Sequence, residues 1–167
     1  MERKRAYGIL IVSFFILTVG SGCGYSVYRQ AALPFKDIYI PPIENKTLEP
    51  KLQDKLHKAL IMEFTKHGVQ INPSSGTTLT GTIYTFEMFT LSVKNDTTVE
   101  YRVNAAVNFT FQNENGEMQE IKDIRSPFIV SFSSSEALSE TLANRDVAEE
   151  MALEDVAMQI VGFLIYR

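Results

Sequence analysis

The chain has 167 residues, 45% of them hydrophobic and 22% charged, with two histidines, one cysteine and no tryptophan. That is enough for one domain with its own core. A single cysteine excludes an internal disulfide and a thiolate metal cluster, and a formal net charge of −4 argues against nucleic-acid binding.

The first segment stands apart from the rest. Arg3, Lys4 and Arg5 precede the apolar run from Ala6 to Val19, and Gly20, Ser21 and Gly22 follow. A basic start, a short apolar stretch and small residues describe a secretory signal over residues 1–22. The run is shorter than the roughly 20 residues a spanning helix needs. Ser21-Gly22-Cys23 resembles the end of a bacterial lipoprotein signal, after which the cysteine becomes the acylated first residue. Gly20 stands where such signals usually carry an aliphatic residue. Cys23 is therefore the expected lipid attachment site. Soluble export and a reactive thiol are the alternatives, but nothing around Cys23 would form the thiolate. Removing residues 1–22 takes away three of 16 basic and one of 20 acidic residues, leaving a net charge of −6. Gly24 rather than aspartate after the cysteine resembles lipoproteins sorted to the outer membrane.

Residues 23–36 read as the lipidated start and a tether, and residues 37–167 as a single domain. "DIYIPPI" (37–43) alternates like a strand until Pro41 and Pro42 end it. "ENKT" turns the chain. Residues 48–68 form an amphipathic helix with Pro50 in its first turn, Leu52, Leu56, Leu60 and Phe64 on one stripe, and Gly68 as C-cap. His57 and His67 lie ten apart, and both read as exposed or capping. Residues 79–93 make a long strand, with Ile83, Phe89 and Leu91 on one face and Tyr84, Phe86 and Met88 on the other. The next strand alternates from Val99 to Phe111, with Arg102, Asn104 and Asn108 on its polar side. "NENG" (113–116) signals a hairpin. In the return, 117–132, Pro127 predicts an edge strand or a bulge. Ser133 and Glu136 have capping-box spacing. A helix then runs to about Ile165, with a break expected near Asn144. Glu149, Glu150, Glu154 and Asp155 read as its solvated face.

This order predicts an α+β, two-layer sandwich: two helices on one face of a mixed, mostly antiparallel sheet of about four strands. Two helices cannot cover both faces. The uncovered, half-apolar face points to a protein partner or a lipid ligand. No nucleophile elbow, paired-cysteine motif, metalloprotease motif or phosphate loop is present, so no enzyme, catalytic residue, metal or cofactor is expected. Asn45-Lys46-Thr47, Asn95-Asp96-Thr97 and Asn108-Phe109-Thr110 match the glycosylation pattern only by chance in a bacterial lipoprotein.

Four blocks taken in order, "CGYSVY", "LPFKDIYIPPIENKTLEPKLQDKLHKAL", "NDTTVEYRVNAAVNFTF" and "EALSETLANRDVAEEMALEDVAMQIVGFL", resemble the LptE family of lipopolysaccharide-assembly lipoproteins. The resemblance implies a non-catalytic, outer-membrane lipoprotein that plugs an LptD-like β-barrel and contacts lipopolysaccharide. Its partners would be that barrel, lipopolysaccharide and, through the lipid at Cys23, the outer membrane. Basic residues of the hairpin region are the candidate lipopolysaccharide contacts. Arg102 and Arg125 lead, because a guanidinium holds phosphate bidentately, with Lys94 and Lys122 beside them. "IYIPPIENKT" also resembles lipoproteins that activate peptidoglycan synthases or build secretion pores, which is the alternative.

Overall fold

Apolar spacing, turn chemistry and two proline interruptions set the element order. The computed structural model describes residues 33–94, 97–131 and 138–166. Residues 1–32 lie outside the described residues, and with them the signal and Cys23; so do Ser133 and Glu136.

Strand β1 (Asp37–Ile38) stops before the two prolines, and a second short strand, β2 (Glu44–Asn45), comes after them. Helix α1 spans Leu52–Lys66, then come β3 (Gln70–Ile71), β4 (Thr78–Lys94), β5 (Thr97–Gln112), β6 (Met118–Ser131) and α2 (Leu138–Ile165). β1 and β3 pair in parallel as a two-stranded ribbon, and a parallel bridge from Tyr39 to Thr78 links it to β4. The main sheet has the order β2-β4-β5-β6, with β2 parallel to β4 and the other pairs antiparallel. The expected two-layer α+β class is what the chain adopts.

The stripe on α1 is buried as its spacing requires: Leu52, Leu56, Leu60 and Phe64 are all fully covered. Each such side chain contributes about 1.5–3 kcal/mol relative to exposure. The helix starts later than the sequence suggests, because Lys51 takes a left-handed conformation (φ 66°) and leaves Pro50 outside. At the other end Gly68 sits at φ 79°. Its N–H donates to the Thr65 carbonyl at 2.9 Å, and the Val69 N–H donates to the Phe64 carbonyl at 3.0 Å. That pair of bonds is a Schellman closure. His67 is the C-cap residue. His57 is half-buried, its Nε2 lying 2.9 Å from the Ile40 carbonyl oxygen and tying α1 to the chain after β1.

The expectations for β4 and α2 need correction, and β6 is the edge strand that Pro127 predicted. In β4 the register shifts between Ile83 and Thr85, so Tyr84 is a bulge. An extra residue reverses the alternation beyond it. Leu79 and Ile83 face the helices before the bulge; Phe86 and Met88 do so after it, and Phe89 points away. In β6 the strand runs unbroken through Pro127 at the sheet edge. Its bulge lies earlier, where Lys122 and Asp123 oppose Asn108 and Asp123 adopts φ 61°. α2 is continuous through Asn144.

The two helices run parallel, since ion pairs join them in matching order. Lys55 pairs with Asp146 and Glu149, and Lys58 with Glu150. Glu149 is not a solvated residue: it is 5% exposed and held by both Lys55 and Arg145. α2 sits on β5 and β6 through Ala148, Ala152, Val156 and Ile160, whose small or slim side chains let the helix approach. Gln159 Nε2 donates to the Arg125 carbonyl at 2.9 Å, pinning β6 beneath it.

Ser126 lies under this helix, fully buried, with no partner for its hydroxyl. Removing an unpaired buried polar group is favourable. Ser126→Ala is therefore expected to stabilise the domain by about 1 kcal/mol. A denaturation midpoint equal to or below that of the parent chain would contradict this.

Candidate functional site

Both helices lie on one face of the main sheet, and no described element covers the other. The make-up of that surface is set by strand periodicity and the two bulges. Cross-strand register places Thr78, Gln112 and Met118 in one row, and Thr80, Thr110 and Glu120 in the next. Thr85, Ala106 and Arg125 form a further row, then Glu87 with Asn104, then Phe89 with Arg102. Among the described side chains threonine and asparagine are frequent, so the face is polar with isolated aromatic positions and not half-apolar as expected.

The bulges build a cluster at its middle. Asn108 Oδ1 accepts the backbone N–H of Asp123 at 2.9 Å, which stabilises the left-handed residue. Tyr84 donates its hydroxyl to Asp123, reaching across β5, and Arg125 Nε donates to the same carboxylate oxygen at 2.6 Å. Ala106, in the β5 row between Thr85 and Arg125 that this bridge crosses, is fully buried. The hydrogen bonds from Arg125 and then Tyr84 hold the Asp123 carboxyl below its ordinary range. The hydrogen bond to Asp123, with smaller help from burial, pushes the Tyr84 phenol up. Arg125 is raised by Asp123 and stays charged.

The four predicted basic residues all fall on the β4–β6 hairpins, but they do not converge. Arg102 is exposed on the uncovered face. Arg125 aligns with Ala106, four residues further along β5, or about 13 Å. Lys122 is paired with Glu120 at 2.6 Å. Lys94 closes β4 opposite Thr97, at the far end of the hairpin. Lys122, Arg125 and Arg102 are thus strung out along β6 and β5 with carboxylates beside two of them, and they do not form a pocket.

A loop that looked like a chance motif has a structural role. Asn45 Oδ1 accepts from the Thr47 N–H (3.0 Å) and hydroxyl (2.8 Å), while its Nδ2 donates to the Glu49 carbonyl (2.7 Å) and Gln53 Oε1 (3.1 Å). This Asn-x-Thr turn fastens the loop after β2 onto the first turn of α1. Only the folded chain brings Gln53 to Asn45, so spacing alone did not reveal it. Among the described residues, no cluster of three or more His, Cys, Asp or Glu side chains is placed to hold a metal ion. No described helix is long and apolar enough to cross a membrane.

A family model described as LptE, lipopolysaccharide-assembly, matches residues 35–163. No curated protein matches the sequence significantly. Similar folds occur among solved structures. One is a lipoprotein from Caulobacter crescentus, with 18% identity over 75% of this chain and 88% of that one, at a TM-score of 0.50. Another is a protein of Chlamydia trachomatis, with 7% identity over 78% and 98%, also at 0.50. A minor lipoprotein from Acinetobacter baumannii has 15% identity over 80% and 93%, at 0.49. At such identities the first two show the shared fold and nothing about activity.

Proposed function

Because the chain belongs to the LptE lipopolysaccharide-assembly family, matched over residues 35–163, we propose that it is a non-catalytic lipoprotein of the outer membrane. In this reading Cys23 carries the lipid, and the domain plugs an LptD-like β-barrel and assists lipopolysaccharide on its way through it. One observation on this molecule supports the reading. The uncovered sheet face is polar, broad and bridged flat by Tyr84, Asp123 and Arg125. Barrel interiors are polar too, so such a face suits a lumen better than an apolar groove would.

Pull-down from solubilised outer membranes, with mass identification of the proteins recovered alongside the chain, tests the partner. A large β-barrel is expected in stable complex. Recovery of a peptidoglycan synthase and no barrel would replace this reading with the synthase-activator alternative.

Arg102 and Arg125 are the proposed phosphate contacts, with Lys94 and Lys122 flanking them. Arg102 is accessible at once, whereas Arg125 must exchange part of its bond to Asp123 for a phosphate oxygen. The double substitution Arg102→Glu/Arg125→Glu is expected to weaken lipopolysaccharide binding by at least tenfold, since charge-assisted bonds contribute about 1.5–3 kcal/mol each. Unchanged affinity would remove both residues from the contact.

A further inference from the structure

The chain enters the domain at one end, and that end carries exposed apolar side chains that the fold does not use. Leu33 is buried, and Phe35 lies against Phe64 and Phe111, with ring centroids 6.2 and 5.4 Å apart. The tether therefore joins where α1 finishes and the β5–β6 turn lies. α2 runs parallel to α1, so it finishes at this end as well. There Tyr166 is 85% exposed, Phe163 42% and Met118 72%. Phe163 and Tyr166 are three residues apart at the end of α2 and share a side, while Met118 begins β6 in the other layer. The charges nearby are mixed: Lys36 and Lys66 are exposed, and so are Glu114 and Glu117. Such an end neither seeks nor shuns an anionic surface.

The reading of Cys23 as the lipid anchor, on which this inference rests, identifies the occupant of that end. Only residues 24–32 separate that cysteine from Leu33, and nine extended residues reach about 30 Å at most. Fully exposed Leu48 lies at the opposite end, before α1, and that helix alone adds about 22 Å. We infer that the Phe163–Tyr166–Met118 end rests on the phospholipid surface that holds the anchor. Tyrosine favours the headgroup level, where its ring is buried and its hydroxyl stays wet, and a neighbouring phenylalanine adds apolar area to bury there. Two aromatic side chains alone would bind a bilayer weakly. A short tether holds them near it at an effective concentration on the order of millimolar, which keeps a weak contact occupied.

The chain contains no tryptophan, so each one introduced reports alone. Phe163→Trp, Tyr166→Trp, Met118→Trp and Leu48→Trp are to be made in the full acylated chain. Each is then bound to phosphatidylcholine vesicles whose acyl chains carry bromine. Positions 163, 166 and 118 are expected to lose most of their fluorescence and position 48 little. Tyr166 and Met118 are too exposed for their replacement to disturb packing, so a folding failure at 163 leaves the comparison intact. Equal quenching at all positions overturns the contact. So does a concentration-dependent blue shift without quenching, which would mean that a second copy covers this end. Protein that does not sediment with the vesicles refutes the anchor reading and this inference with it, a result distinct from bound protein without selective quenching.

Discussion

Replacing Glu149 with alanine is expected to destabilise the domain by about 3 kcal/mol, near the lower limit for breaking a buried ion pair. The carboxylate is almost fully covered and accepts from Lys55 Nζ at 2.6 Å and Arg145 Nε at 3.1 Å. Lys55 itself is largely covered, so truncating Glu149 strands much of a positive charge between the helices. Asp146 remains as a second partner, which keeps the loss from being larger. A shifted urea midpoint with an unchanged slope is the signature. The double variant Lys55→Met/Glu149→Leu should recover most of the loss, because apolar groups of similar volume replace buried pairs well. If it is as unstable as the single variant, packing and not charge is at stake. The network also fixes the response to pH. Burial pulls the Lys55 ammonium down, but its hydrogen bonds to Asp146 and Glu149 outweigh this and leave it raised above 10.5. Its contribution is complete below that value and is lost as pH rises through the folded-state value. Asp146 is held below 3.8 by the Lys55 hydrogen bond, so its share is present above 3.8 and lost as pH falls through its own folded-state value. The share of stability that this network contributes should be constant between these limits and decline beyond each.

Phe64→Ala is expected to cost about 3–5 kcal/mol, the range for emptying a large aromatic site in a core. The ring is fully buried near the end of α1 and lies against Phe35. Its backbone carbonyl accepts the Val69 N–H in the helix closure, and alanine leaves that bond in place. The measured loss therefore isolates the cavity. Because Phe35 rests on Phe64, the same substitution should loosen the chain where the tether joins, and limited proteolysis should cut near Phe35 before the domain unfolds. A loss below about 1.5 kcal/mol would mean that neighbouring side chains collapse into the site.

How much of this was legible beforehand differs from element to element. The buried stripe of α1 and the core face of β5 come from period alone, because 3.6 and 2 map sequence directly onto faces. Gly68 was legible for the same local reason: a left-handed helix end favours glycine. Tyr84 was not, since a bulge has no strong signature and shifts every later residue to the other face. Phe89 and Phe86 changed places on that account. Asp123 hid similarly, because its left-handed backbone depends on Asn108 one strand away. Pro127 correctly marked an edge strand, where a missing N–H interrupts nothing, but the bulge at Lys122 and Asp123 carried no signal. Of the candidate basic residues, their strands were readable, but the carboxylates that hold Arg125 and Lys122 were not.

By itself the sequence determined the α+β class, the apolar face of α1, the hairpin positions and the resemblance to the LptE family, because each depends on spacing within one segment or on order along the chain. Tertiary structure alone decided which half of β4 faces the helices, that Glu149 is buried, that Tyr84 and Asp123 meet across β5, and that the tether shares an end with Phe163 and Tyr166. Those features depend on how segments far apart in sequence are set against each other, and no period within one segment carries that information.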